Sequence, residues 1–451
     1  MLAGAALVGN LLWVFARHSV IGVVLLLAVQ VGAEANLGQP VAFNLGVHIY
    51  PGDIVAVCAS LVGLARLVRH GLPPRSGLLP LLAVVALTGR SVLYGAATFG
   101  LSAAGNDSRT YFSYVFAAAL YISTAPLSAA LGRSVTRAWL ASATAFTVLC
   151  LASWARHGLH PVTVPLIVHG MAVDPRPLSA AASLVLAQAA ALLMCPLGSD
   201  HAAGEMPARP NRARVLAAVT LLVIVVLLQD RTVWVAAAAM AATWWVLRPF
   251  RAGRRIVSAA AGGLTLSLVV LAYFEGAFGS VGGILAASAE ETQKTHSTFA
   301  WRVIGWQNLL NTPRSLTQWL IGEPFGSGYD RYIGGGLVTV SPHNYFLQVA
   351  LRVGVIGLAV LLTLYILIWR RLARSGPEVL ALRLVLVGQL VFFVAYPAFP
   401  EQGVLLGWCL WELRRRTSLQ SLVPQRTVGR LDAAPAAADR LTLPVKTYQE
   451  T

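Results

Sequence analysis

The sequence predicts an all-α polytopic membrane protein with about twelve transmembrane helices (twelve to thirteen) and one large, partly helical extracytoplasmic loop. Three observations predict it. Of the 451 residues, 57% are hydrophobic and only 12% are charged, and the mean hydropathy is +0.68. A soluble chain of this length needs more polar surface than that. Apolar runs of roughly 17–25 residues recur along the chain, the length of helix that crosses a bilayer. The arginines gather in alternate connections, as they do in loops retained in the cytoplasm. The runs are continuous and do not alternate, which argues against a membrane β-barrel.

Spans are expected near residues 18–34, 53–69, 76–98, 110–131, 135–154, 178–196, 213–229, 231–248, 254–274, 343–369, 378–396 and 401–413, the last one short. Residues 1–16 form either a thirteenth span or a short helix within the membrane. The stretch Ala3–Ala16 lacks the basic flank and cleavage site of a signal peptide. Cytoplasmic connections carry Arg66, Arg69 and Arg75; Arg133 and Arg137; Arg209, Arg212 and Arg214; Arg248, Arg251, Arg254 and Arg255; Arg370, Arg371 and Arg374; and Arg414, Arg415 and Arg416. The other connections then face outward: 35–52, 99–109, 155–177, the break at Gln229–Thr232, 275–342 and 397–400. The membrane domain covers 1–416, and the polar tail 417–451 is expected to be disordered and cytoplasmic.

The net charge of +16 raises a nucleic-acid reading. Nearly all of it is arginine in short loops, with only Lys294 and Lys446 as lysines, so topology accounts for it and no nucleic-acid partner is expected. Cys58, Cys150, Cys195 and Cys409 lie in or beside apolar runs and read as small core hydrophobes. Gly95 and Gly100 read as packing positions. In the outer loop, Phe299, Val303, Trp306 and Leu310 recur at helical spacing, so 298–311 reads as an amphipathic helix ended by Thr312-Pro313. Glycines between 322 and 336 mark turns.

Four polar residues on the outward side invite chemistry. Arg231 follows Asp230 at a helix break; it either snorkels to the interface, paired with Asp230, or binds an anion. Arg302 lies beside Trp301 and Trp306, either stacked on aromatic rings or free to bind. Arg331 is a weaker candidate of the same kind. His343 stands where the loop re-enters an apolar helix. With Ser341 as N-cap and Pro342 at the first helical position, His343 falls in the first turn, where the helix dipole lowers its pKa. A neutral imidazole is what a general base requires; the plainer reading is an interface histidine bonded to a loop carbonyl. His157, His160 and His169 lack the spacing of a familiar metal site, no Asp-x-Asp motif is present, and the glycines match no phosphate-binding fingerprint.

Three blocks resemble the O-antigen ligase and polysaccharide polymerase family. They are Gln229-Asp230-Arg231-Thr232-Val233-Trp234, the Arg302-x-x-x-Trp306 pair followed by Gly326-Ser327-Gly328, and His343-Asn344-Tyr345-Phe346-Leu347 followed by Gly354-x-x-Gly357. The resemblance covers roughly 210–370. Arg352 departs from it, standing where an acidic residue is expected. The resemblance implies a large integral-membrane glycosyltransferase of the bacterial cytoplasmic membrane with its active site facing the periplasm. It implies an undecaprenyl-diphosphate-linked glycan as donor and neither metal nor other cofactor. Arg231 and Arg302 would neutralise the leaving diphosphate, and His343 would take the acceptor proton. Asn344 would hold His343 or a sugar hydroxyl, while Arg331, Tyr345 and Trp306 would line the substrate site. Partners would be a glycan or lipid A-core acceptor, membrane lipids, and flippase and chain-length regulator proteins. The preferred reading is polymerisation of exopolysaccharide or O-antigen repeats. Open beside it stand ligation to lipid A-core, protein glycosylation, a polytopic transporter or lipid flippase, and a membrane scaffold. Arg90 is the clearest charge within a span, and no inverted repeat supports a transporter.

Overall fold

The computed structural model describes residues 2–35, 43–44, 48–71, 77–160, 166–168, 171–173, 176–195, 210–247, 283, 298–333 and 335–422. Expectations for the span 254–274, the segment 275–297, Arg209, the arginines at 248–255, His169 and the tail beyond 422 lie outside these residues. Helices dominate: α1 (Leu2–Arg17), α2 (Ser19–Ala35), α3 (Pro51–His70), α4 (Leu78–Phe99), α5 (Leu101–Ser108), α6 (Tyr114–Ser123), α7 (Ala129–His157), α8 (Ala180–Met194), α9 (Arg212–Leu227) and α10 (Arg231–Leu247). After them come α11 (Thr298–Asn311), α12 (Leu316–Ile321), α13 (Tyr345–Arg352), α14 (Gly354–Arg374), α15 (Leu380–Phe392) and α16 (Pro400–Leu422). Among the described residues, three short antiparallel hairpins decorate the connections, one of them Arg331–Ile333 with Gly336–Val338. Among the described residues, α3, α4, α7 and α14 are long and apolar enough to cross a membrane, and α2, α8 and α10 are shorter apolar helices.

The core is built from helices that are apolar all round, which is the composition of a helix enclosed by others. Every residue of α6 from Val115 to Ser123 is buried, as are eleven of the fifteen residues of α8. Helix α16 lies against α6 at backbone distance. A Cβ on Gly403 would stand 2.1 Å from the Val115 carbonyl oxygen, and one on Gly407 would stand 2.7 Å from that of Ala119. The spacing Gly403-x-x-x-Gly407 is the small-residue pattern that lets apolar helices touch. Buried amides cross-link the same helices: the Gln188 side chain donates to Gln402 Oε1 at 3.1 Å, and that of Gln389 donates to the Gln402 carbonyl at 3.1 Å and to Tyr365 Oη at 3.0 Å. Arg66 also serves packing. Its guanidinium donates to the Phe15 carbonyl at 3.0 Å, to Ser19 Oγ at 2.9 Å and to the Tyr121 carbonyl at 3.3 Å, locking α3 to α1, α2 and α6.

Three expected spans differ from the observed helices. The run 110–131 is interrupted. A π-helical turn at Arg109–Ser113 precedes α6, and α6 stops at Ser123 before Pro126. Proline blocks the helix there, and Ser128 accepts the Leu131 N–H at 3.3 Å to start α7 anew. The run 343–369 breaks at Gly354, which takes φ +82°. A Cβ at Gly354 would meet the Leu320 carbonyl oxygen at 2.1 Å, so α12 crosses at the break. The run 401–413 extends to Leu422, because Arg415 and Arg416 both pair with Glu412 at 2.7 Å and prolong the helix into the expected tail. Gly95 does pack closely, with its hypothetical Cβ 2.0 Å from the Phe325 carbonyl oxygen. Gly100 instead ends α4 at φ +88° in open space.

Gly403→Ala should lower the thermal unfolding midpoint of the purified protein, costing about 1–3 kcal/mol as overpacking. Gly89→Ala, where an added methyl meets nothing within 4 Å, should leave it unchanged or slightly raised.

Candidate active site

His343 lies outside the helix. Its backbone takes φ +53°, and α13 begins at Tyr345 with Asn344 as N-cap, whose Oδ1 accepts the Leu347 N–H at 2.9 Å. This corrects the expected start at Ser341-Pro342. Asn is among the preferred caps, and Ser341 is engaged otherwise, accepting from the His343 N–H at 3.4 Å and from the Gln348 amide. A left-handed non-glycine residue costs about 1–3 kcal/mol and persists only where its surroundings over-determine it. They do so here. The Trp306 indole donates to the Pro342 carbonyl at 2.6 Å on one side, and the Tyr345 N–H donates to the Phe393 carbonyl at 2.9 Å on the other.

Burial pushes the His343 imidazole pKa down to about 4, and the positive charges of Arg302 and Arg331 push in the same direction. The expected direction holds, but its cause is desolvation and neighbouring guanidinium groups, since the histidine precedes the helix. The ring is neutral near pH 7 and can accept a proton's hydrogen bond.

Facing it is Tyr396, in the connection between α15 and α16, a residue that sequence reasoning missed. The His343 and Tyr396 rings meet edge to face at 6.4 Å. The Arg302 guanidinium lies 4.7 Å over the Tyr396 ring and donates to the Ala395 carbonyl at 3.1 Å. Tyr396 is backed by Phe392, stacked at 4.8 Å. The Tyr396 hydroxyl donates to Asp230 Oδ2 at 3.1 Å. Asp230 is buried, caps α10 by accepting the Val233 N–H at 3.2 Å, and lies 3.6 Å from Arg176. Gln229 makes the turn before it at φ +57°, its side-chain amide bound to the His160 carbonyl at 2.8 Å. Arg231 follows as the first residue of α10, half-buried. Three connections expected to face outward, 155–177, 229–232 and 275–342, thus gather around one tyrosine, and Arg176 joins the expected arginines there.

Several residues expected to line the substrate site make contacts within the protein. Tyr345 is buried between Phe112 and Phe393, at ring separations of 5.6 and 4.7 Å. Trp306 spends its indole N–H on Pro342, and Asn344 spends its oxygen on the cap. Arg331 is 4% exposed and donates to the Tyr329 and Val340 carbonyls at 2.9 and 2.7 Å. It closes its own hairpin and contributes positive potential to His343.

Arg352 resolves the anomaly noted in the sequence. It is fully buried, its Nε 2.8 Å from Asp107 Oδ2, its Nη1 3.8 Å from Glu323 Oε2, and its guanidinium 4.0 Å over the Tyr329 ring. It also donates to Ser327 Oγ and the Gly328 carbonyl. Asp107 accepts the Gly326 N–H at 3.0 Å, and Ser91 donates to the Arg352 carbonyl at 2.7 Å. The Gly326-Gly328 turn is thereby clamped onto α4, α5 and α13. Among the described residues, no group of three or more His, Cys, Asp or Glu side chains gathers as metal ligands.

Residues 216–362, running from α9 into α14, match the family model described as O-antigen ligase. The matched segment is about a third of the chain and holds Arg231, Arg302, His343, Asn344 and Arg352. No curated protein matches the chain. The family match supports the O-antigen ligase and polymerase family, whose members are enzymes that handle glycan and lipid-linked substrates, and with the apolar helices it indicates a multi-pass bacterial membrane protein.

The histidine makes a signed prediction about stability. Unfolded, it titrates near the ordinary histidine value of 6.5; folded, at about 4. Its contribution to stability is therefore whole above pH 6.5 and is lost as pH falls from there through 4. Thermal midpoints of the parent should fall across that window more steeply than those of His343→Gln.

Proposed function

We propose that the chain transfers an undecaprenyl-diphosphate-linked glycan to an acceptor hydroxyl at the outer face of the cytoplasmic membrane. The transfer needs no metal, and it polymerises repeat units of an exopolysaccharide or O-antigen. One observation carries the reading: a neutral, half-buried histidine stands beside an arginine held over Tyr396, inside the segment that matches the O-antigen ligase model.

His343 accepts the proton of the acceptor hydroxyl as its oxygen bonds to the anomeric carbon. The bond from that carbon to the diphosphate breaks, and undecaprenyl diphosphate departs with the electron pair. Its charge is met by Arg302 and Arg231. A guanidinium has five N–H donors, so Arg302 can hold the Ala395 carbonyl and still offer a planar edge to phosphate oxygens. Tyr396 holds Arg302 over its face and, through Asp230, ties it to the start of α10, where Arg231 sits. Arg176, beside Asp230, adds positive charge to the same cluster. Preorganised charge of this kind stabilises a leaving group without reorganisation at the moment of reaction.

The family's description favours a second reading, in which lipid A-core is the acceptor and the product is a ligated lipopolysaccharide. The discriminating experiment uses purified protein with lipid-linked repeat units, analysed on gels. A ladder without added lipid A-core indicates a polymerase, and product only with that acceptor indicates a ligase. No product with either would overturn both readings and favour transport or scaffolding. His343→Ala should lose about 10²–10⁴-fold in turnover, the usual contribution of a general base. Arg302→Lys and Arg231→Lys should also fail, because a compact ammonium cannot replace a planar fork. Full activity in the Lys variants would reduce these arginines to topological markers.

A further inference from the structure

A cavity of about 560 Å³ lies between the C-terminal end of α2, the N-terminal ends of α3, α8 and α16, and the π-helical turn after α5. None of His343, Arg302, Tyr396 or Asp230 lines it. Its size is that of a small-molecule site, and single π-turns in helices recur at functional sites.

The chemistry of its walls selects a class of occupant. Arg109, the cation there, is neutralised by Asp53, with Nε 3.0 Å from Oδ1, and its guanidinium covers the Tyr50 ring at 4.5 Å. Asp53 also accepts from the Tyr114 hydroxyl at 2.8 Å. Glu34 receives the backbone N–H and hydroxyl of Ser179 at the start of α8. Glu401 is 4% exposed, and its Oε2 has no hydrogen-bond partner among the described residues. The wall thus offers carboxylate and phenol oxygens beside the ring of Phe399, with its positive charge already paired. Phosphate oxygens would meet acceptors and carboxylates. Sugar hydroxyls would meet the acceptors they need.

Phe399 joins this cavity to the catalytic group. Its ring lies 6.3 Å from that of Phe392, which stacks on Tyr396. The two sites share an aromatic wall.

We infer that this cavity binds the uncharged saccharide of the acceptor, with Glu401 accepting a hydrogen bond from a sugar hydroxyl. The inference rests on the transferase reading above. The probe is the free oligosaccharide released by mild acid from the host's own lipid-linked repeat units. Its binding to the purified full chain in nanodiscs is followed by saturation-transfer NMR. The parent should bind it, and inorganic pyrophosphate should not compete. Glu401→Gln should weaken binding at least tenfold, and so should Asn106→Trp, which fills the cavity from an exposed edge. His343→Ala should bind as the parent does while losing transfer. The inference is overturned if the parent does not bind, if pyrophosphate displaces the saccharide, or if both cavity variants, with unchanged melting, bind within twofold of the parent. A His343→Ala protein that still transfers would instead sink the catalytic assignment and leave the cavity result standing.

Discussion

Arg352 is the interaction on which the half of this molecule that carries His343 depends. A guanidinium taken wholly out of water costs several kcal/mol unless charges and hydrogen bonds surround it, and here they come from three separate parts of the chain. Asp107 belongs to α5, Glu323 follows α12, and Tyr329 with the Ser327-Gly328 turn lies in the connection from α12 to α13. Glu323 is itself held by Arg314 at 2.9 Å. Two arginines and two carboxylates therefore balance, so the cluster is neutral as a unit and strongly charged in any of its parts. Removing one member leaves an uncompensated buried charge, the costly case. The cluster sets the start of the Gly326-Gly328 turn, which leads to the Arg331 hairpin and on to the loop that ends at His343.

Tyr396 plays the corresponding part for Arg302 and His343. Its face supports Arg302, its edge meets His343, and its hydroxyl reaches Asp230. A tyrosine suits this place because ring and hydroxyl make different contacts in different directions. Phe392 behind it and Phe399 beyond carry the same aromatic surface towards the cavity that Glu401 lines.

Local signals were readable and tertiary ones were not. The helix 298–311 was legible to its ends, because apolar periodicity and the Thr312-Pro313 stop are written within it. The boundaries of α2, α3 and α10 fall within two residues of the apolar runs for the same reason. The break at Gly354 was hidden, since its cause is the Leu320 carbonyl, distant in sequence. The π-turn at 109–113 likewise has no periodic signature. Gly403-x-x-x-Gly407 was a legible signal in a run judged only by its length. At the site, Arg302 and His343 carried their own marks as polar groups at apolar boundaries. Tyr396 and Arg176 carried none, because their meaning comes from Asp230 and from each other. Arg331, Trp306 and Tyr345 look like ligand-binding residues in a list of side chains. Only their partners show that the Trp306 indole N–H goes to Pro342, that Arg331 holds the Tyr329 and Val340 carbonyls, and that the Tyr345 ring packs between Phe112 and Phe393.

The left-handed backbone at His343 has a consequence for anyone improving this protein as a reagent. Glycine and asparagine occupy that region more easily than histidine does, and burial of a titratable ring adds a further cost. Selection for heat resistance alone would therefore drift away from histidine at 343 and, on the proposal that His343 is the base, enrich inactive clones. Stabilisation campaigns on this chain have to hold that codon fixed and search elsewhere.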